Sequence, residues 1–107
     1  MSKKKTYIED DSVAEFIAAQ PLAVQAKYHA LVDKLEEHGR LAEPDAKRLD
    51  DNLFEIRIRV GATVRVIYCY LEGNLIYGAH GFVKKSQQTP LHELRCARRR
   101  IRQMTGD

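Results

Sequence analysis

Residues 53–88 read LFEIRIRVGATVRVIYCYLEGNLIYGAHGFVKKSQQ, and the pattern of this stretch decides the fold. Three apolar runs are separated by two glycine-bearing turns. In the first run Phe54, Ile56, Ile58 and Val60 alternate with Glu55, Arg57 and Arg59, the period of two that a half-buried strand requires. Gly61-Ala62 marks a tight turn. Residues 64–71 are more continuously apolar and predict a central strand covered on both faces. Glu72-Gly73-Asn74 is a second turn signal. Leu75 to Val83 reads as a third strand, in which Gly78 and Gly81 point to a bulge or a close backbone approach. Connections this short favour an antiparallel meander over parallel crossovers.

Register parity assigns faces to the cations. Facing residues in an antiparallel pair keep a constant index sum. A two-residue loop at Gly61-Ala62 sets Arg65 opposite Ile58, on the core face. A three-residue loop, Gly61-Ala62-Thr63, pairs Val60 with Val64 and Arg59 with Arg65, and leaves Arg57 on their side. Burying an unpaired guanidinium costs more than lengthening a loop. The three-residue form, bulged at Gly61, is therefore expected, with Arg65 facing solvent. Two arginines facing across a ladder repel each other unless an anion lies between them.

Arg57, Arg59 and Arg65 then form a phosphate-binding floor with Lys84 and Lys85 at its rim. Arginine forks two N–H groups onto phosphate oxygens; lysine supplies a compact charge or a proton carrier. The plainer alternative is a solvated face with ion pairs to Glu55 and the acidic N-terminal half. His80, near Gly78 and Gly81, is either a proton-transfer residue or a structural histidine. Phe82 and Tyr68 are candidates for stacking on bases, core packing being the simpler fate of Tyr68.

Upstream, Lys3, Lys4 and Lys5 precede Thr6-Tyr7-Ile8-Glu9, a β-prone segment suited to an edge strand. Ser12 with Glu15 fits a capping box opening a helix that carries Val13, Phe16 and Ile17. Pro21 ends it and suits the start of the next. That second helix, Leu22–His38, shows Val24, Tyr28, Leu31 and Leu35 at helical spacing, with Gly39 as its left-handed cap. Residues 40–52 read as a charged connector. Downstream, Thr89 as cap, Pro90 and Glu93 open a last helix. Leu94, Ala97, Ile101 and Met104 line one side of it, and Arg95, Arg98, Arg99 and Arg102 much of the remainder.

The chain has 107 residues, 44% hydrophobic and 31% charged. That is enough for a single domain, residues 1–107, burying roughly 60–65% of its unfolded surface. No run approaches the roughly 18 apolar residues of a membrane span, and no apolar segment of a secretory signal follows the first lysines. Cys69 and Cys96 show no close pairing and read as free thiols of a cytoplasmic protein. The net charge of +3 is unevenly spread: residues 1–52 hold eight Lys/Arg against eleven Asp/Glu, and residues 53–107 ten against four. The basic half could steer a polyanion. Walker, GxGxxG, GxSxG and zinc-ligand spacings are absent from the sequence.

Leu53-Phe54-Glu55-Ile56-Arg57, then Val64-Arg65-Val66-Ile67-Tyr68, then HGFVKKSQQTP at residues 80–90, form an ordered set. It resembles the phage-derived, HigB-type branch of the RelE toxin superfamily, over most of the chain. The resemblance implies an α+β, RelE-like fold: two N-terminal helices packed on a twisted, mainly antiparallel sheet, with a basic C-terminal helix. It also implies a toxin partnered by a cognate antitoxin, a helix-turn-helix DNA-binding protein. Such toxins cleave mRNA in the ribosomal A site, without a metal or other cofactor, through attack of the 2′-OH on the adjacent phosphate.

By the same resemblance Arg57, Arg65, Lys84, Lys85 and His80 are the catalytic candidates. Arg59, Phe82, Arg98, Arg99 and Arg102 are candidate RNA contacts. Several relatives carry a tyrosine or histidine at the extreme C-terminus; here that place holds an arginine-rich helix with His92 at its start. Proton transfer is therefore expected of Lys84 or Lys85 before His80. Two other functions fit the residues: a non-catalytic RNA- or ribosome-binding module, and an interaction protein using the basic last helix.

Overall fold

The computed structural model describes residues 3–106. In chain order its elements are β1 (Thr6–Glu9), α1 (Asp11–Ala18), α2 (Leu22–His38), β2 (Ala46–Asp50), β3 (Leu53–Val60), β4 (Ala62–Leu71), β5 (Leu75–Val83) and α3 (Leu91–Thr105). The strands form one mixed sheet in the order β1-β5-β4-β3-β2. β3, β4 and β5 are the expected antiparallel meander, with β4 at the centre, while β1 runs parallel to β5 at one edge.

The alternation read from the sequence sorts residues between two cores. Ile56, Ile58, Val64, Val66, Tyr68 and Ile76 face α1 and α2, meeting Val13, Ile17, Val24, Tyr28, Leu31 and Leu35. Leu53, Ile67, Cys69, Tyr77 and Ala79 face the other way, where Ala97, Leu94 and Ile101 of α3 cover them. Full burial of each large side chain contributes about 1.5–3 kcal/mol, so β4, buried from Val64 to Cys69, is held from both sides.

Between Ile67 and Tyr68 the ladder slips: Ile67 pairs with His80 but Tyr68 with Gly78, leaving Ala79 as the extra residue of a bulge. The slip turns His80 and Phe82 to the α3 side, and Gly81 to α1. A Cβ on Gly81 would lie 2.5 Å from the Phe16 ring, and one on Gly78 2.0 Å from the Tyr7 hydroxyl. Glycine is thus required where the Tyr7 ring of β1 and the Phe16 ring of α1 lie against β5.

Four local expectations are corrected. The connector 40–52 contains β2, paired with β3 through Ala46↔Ile56, Lys47↔Glu55 and Arg48↔Phe54. Only Ala46 of β2 is fully buried, so the strand rests on its ladder and carries little apolar signal. The cap of α1 is Asp10, which accepts hydrogen bonds from the Ser12 amide and hydroxyl; Ser12 is its donor. Thr89 does not cap α3: Pro90 occupies that position, and the threonine hydroxyl is turned to Glu55. The β3–β4 turn is shorter than expected. Pairing continues to Val60↔Ala62, so that Gly61, at φ 74°, makes the turn alone. A positive φ is open to glycine without steric cost.

Candidate functional site

The tighter turn keeps the parity and changes the partners. Arg57 faces Arg65, and Arg59 faces Thr63. All three arginines lie on the sheet face that α3 covers, but on the part nearest the β3–β4 turn, beyond the helix. There they line an open hollow of about 600 Å³ together with Lys47, Lys84 and Lys85. Six cations meet in it.

Arg65 departs from its expected solvent exposure. It is 3% exposed, and beneath it Glu55 is 0% exposed. Arg65 Nε lies 3.4 Å from Glu55 Oε1, Lys84 Nζ lies 3.6 Å from the same oxygen, and Thr89 Oγ1 donates at 3.3 Å to the carboxylate. Parity was right about the face, but a face flanked by α3 and residues 84–89 is not bare to water. The buried carboxylate supplies the counter-charge that makes the burial of Arg65 tolerable.

The compensation is incomplete. Arg57 Nε and Arg65 Nε are both buried without a hydrogen-bond partner; the Arg65 contact with Glu55 is an ion pair whose Nε–H is poorly directed. Arg65 does donate through Nη1 to the Val64 carbonyl, at 3.3 Å. An unsatisfied buried donor costs about 1–3 kcal/mol, more when charged. Among the described residues the open hollow is lined by six cations and no carboxylate, a charge excess matched to a ligand bearing several anionic oxygens.

Charge crowding also acts on proton affinities. Burial lowers the pKa of Arg65, opposed by Glu55 and reinforced by Arg57 and Arg59. Lys84, whose side chain is 5% exposed, is held below the ordinary lysine value by burial, with Glu55 opposing and Arg65 and Arg57 adding to the effect. A lysine so placed gives up its proton more readily than one in water.

The remaining candidates lie elsewhere. His80 sits under α3 with Nε2 2.7 Å from Glu93 Oε1 and Nδ1 2.8 Å from Arg100 Nη1. A guanidinium cannot accept, so Nδ1 is the acceptor and Nε2 carries the proton, directed at Glu93. Arg100 also donates to the carbonyl of the bulged Ala79 at 3.2 Å and lies 3.9 Å from Asp10. Asp10 accepts from Tyr77 at 2.8 Å. This polar cluster ties α3 to β5 and α1. Phe82 is only 6% exposed, its ring stacked on His80 at 5.8 Å, so it offers no open face for a base.

Arg98 pairs with Asp50 at 2.6 Å. Arg98 and Arg102 border a separate, larger depression of about 820 Å³, with Asp50, Asp51 and Glu72 on its wall. Its mixed charge makes it a poorer anion site than the smaller hollow. Arg99 is exposed on α3. The structure therefore gathers Arg57, Arg59, Arg65, Lys84 and Lys85, and sets His80, Phe82 and the α3 arginines apart from them.

The sequence reading left out Lys47 and Arg100, took Thr89 only as a helix cap, and took Glu55 only as a surface ion-pair partner. For Glu55 a signal existed: it shares the parity of Arg57 and Arg59 on β3, the one acid among the cations of that face. Lys47 carried none, because its place follows from pairing with Glu55 on the unforeseen β2.

The model of the phage-derived protein Gp49-like family matches residues 15–102, from within α1 to near the end of α3. No curated protein matches the chain.

Proposed function

Because the chain belongs to the phage-derived Gp49-like family, we propose that it is the toxin of a type II toxin–antitoxin pair and acts as an mRNA endoribonuclease. Membership supports the first part, since the family is one of toxin–antitoxin toxins related to RelE and HigB. The observation that carries the second is the open hollow lined, among the described residues, by six cations, Lys84 among them, and by no carboxylate.

In the proposed reaction the 2′-oxygen of one nucleotide attacks the adjacent phosphorus. Its proton passes to a base, and the 5′-oxygen of the next nucleotide leaves and takes up a proton. The products are a 2′,3′-cyclic phosphate and a free 5′-hydroxyl. Charge grows on the non-bridging oxygens as the phosphorane forms. Arg57 and Arg65 stabilise it there, each removal costing about 10²–10³ in rate by analogy with oxyanion donors. Lys84, with its weakened hold on its proton, serves the proton transfer. Arg59, Lys85 and Lys47 hold flanking phosphates. His80 is assigned to fixing α3 through Glu93 and Arg100, outside the chemistry.

The reaction takes place in the cytoplasm on mRNA in the ribosomal A site, and a helix-turn-helix antitoxin encoded beside the toxin restrains it. Inducing the chain alone and with its neighbouring gene, then mapping mRNA ends, tests the reading. New 5′-hydroxyl ends and arrested growth are expected only without the neighbour. Unchanged ends and growth would remove the toxin reading, and salt-sensitive RNA binding without cleavage would leave a binding module.

A further inference from the structure

Glu55 is the one fully buried carboxylate among the described residues, and the chemistry above makes no use of it. It lies on β3 at the foot of the hollow. Its oxygens engage β4 through Arg65, the end of β5 through Lys84, and the residue before Pro90 through Thr89. A carboxylate with no exposed surface does not reach a ligand in the hollow. Its cost of burial is offset only because three separate segments converge on it. An apolar residue there would pack without that cost, but would leave Arg65 and Lys84 as uncompensated buried cations.

We propose that Glu55 is a positioning residue: its carboxylate fixes the Arg65 guanidinium and the Lys84 ammonium at the wall of the hollow, and so prepares the site for a phosphodiester. The proposal rests on the ribonuclease reading for its consequence in catalysis, but not for its effect on Lys84. It makes opposite predictions for binding and for turnover. A ligand phosphodiester is repelled by the Glu55 charge, so neutralising it raises the attraction of the hollow for RNA. Turnover requires Lys84 and Arg65 in register with the scissile phosphate, and falls when they are released. Glu55 also favours the charged form of Lys84. Its neutralisation therefore moves the titration of Lys84 to lower pH.

The test compares full-length wild type with Glu55→Gln in three measurements. The first is affinity for a 2′-O-methyl oligoribonucleotide, which lacks the attacking hydroxyl. The second is cleavage at saturating mRNA in a translating extract. The third is the NMR titration of the Lys84 ammonium, assigned with Lys84→Arg. Expected are equal or several-fold tighter binding, cleavage down at least tenfold, and Lys84 titrating at lower pH. Cleavage at the wild-type rate, or an unmoved Lys84 titration, overturns the proposal; so does a parallel loss of binding and cleavage in a folded variant, the mark of a scaffold residue alone. Should Glu55→Gln not fold, Glu55→Asp keeps the charge with a shorter reach. It is expected to cut saturating cleavage with Lys84 titrating near its wild-type pH, and full cleavage in that variant overturns the proposal. If the wild-type protein neither binds nor cleaves RNA, the ribonuclease reading fails by itself, and the Lys84 titration decides whether Glu55 has the stated role.

Discussion

Replacing Arg65 by alanine separates two explanations for any loss of activity at this site. Arg65 is 3% exposed and paired with a carboxylate that is 0% exposed. Removing one partner of a buried ion pair costs about 3–5 kcal/mol, because the other charge is left behind. Here Glu55 keeps Lys84 at 3.6 Å and the Thr89 hydroxyl at 3.3 Å, so the lower end, about 3 kcal/mol, applies. At about 4–8 °C per kcal/mol for a domain of this size, the melting temperature should fall by about 12–24 °C.

Arg57→Ala is the control. Arg57 is half-buried, its Nε lacks a partner, and it stands opposite Arg65. Its removal relieves a like-charge contact, and stability should stay within about 1 kcal/mol of wild type or rise. Calorimetric melts of both variants at neutral pH, beside cleavage assays below the lower melting temperature, decide the matter. Both should lose cleavage, and only Arg65→Ala should lose stability. A further variant, Glu55→Leu with Arg65→Met and Lys84→Met, should recover most of the stability, since apolar replacements for a buried charge cluster are neutral or stabilising by about 1–4 kcal/mol. It should recover none of the activity. If Arg65→Ala melts within 2–3 °C of wild type, taken as about half a kcal/mol, the pair with Glu55 does not hold the floor together and the reasoning fails.

Salt should weaken RNA binding with a log–log slope of about −0.7 per phosphate contacted, and Arg59→Ala or Lys85→Ala should each reduce the slope by about that amount while leaving the fold intact. Asp10 tests the α1–α3 junction: burial raises its pKa, but hydrogen bonds from Ser12 and Tyr77 and the charge of Arg100 outweigh this and hold it below the ordinary aspartate value. A carboxyl with a depressed folded pKa adds stability that is present above the unfolded value of about 3.9 and is lost as pH falls through the folded one. Asp10→Asn, which keeps a capping side chain, should therefore melt below wild type at pH 7, with the gap closing below about pH 4. Gly81→Ala places a methyl 2.5 Å from the Phe16 ring; chemical denaturation should register a loss of about 1–3 kcal/mol, partly restored by Phe16→Leu. Cys69 is buried, with its thiol pushed up to about 11 by desolvation, so a thiol reagent should label the half-buried Cys96 first in the native protein.

The meander was legible because each of its signals is local. Alternation in β3, the continuous run in β4 and the turns at Gly61 and Gly73 each depend on a few neighbouring residues. β2 escaped because a strand of AKRLD has no apolar periodicity; it exists by pairing with β3, a contact across an intervening turn. The α1 cap was misassigned by two residues for a related reason. Asp10 and Ser12 are both good caps by type, and the choice depends on Tyr77 and Arg100, which reach Asp10 from β5 and α3.

The site divides along the same line. That Arg57, Arg59 and Arg65 share a face follows from parity once an odd loop is preferred to an even one, and parity survived an error of two in the loop, because any even change in the index sum leaves the faces as they were. What parity cannot supply is depth. Whether a strand face meets water depends on what is laid beside and over it, here α3 at its flank and residues 84–89 at the arginines, which come from far along the chain. A sheet face with three arginines looks like a solvated surface until a fully buried Glu55 is found beneath it. Glu55 compensates Arg65 and Lys84 from below, while the open lining of the hollow holds, among the described residues, six cations and no carboxylate. That excess of positive charge, open on one side, is the physical reason for assigning this hollow to an anionic ligand.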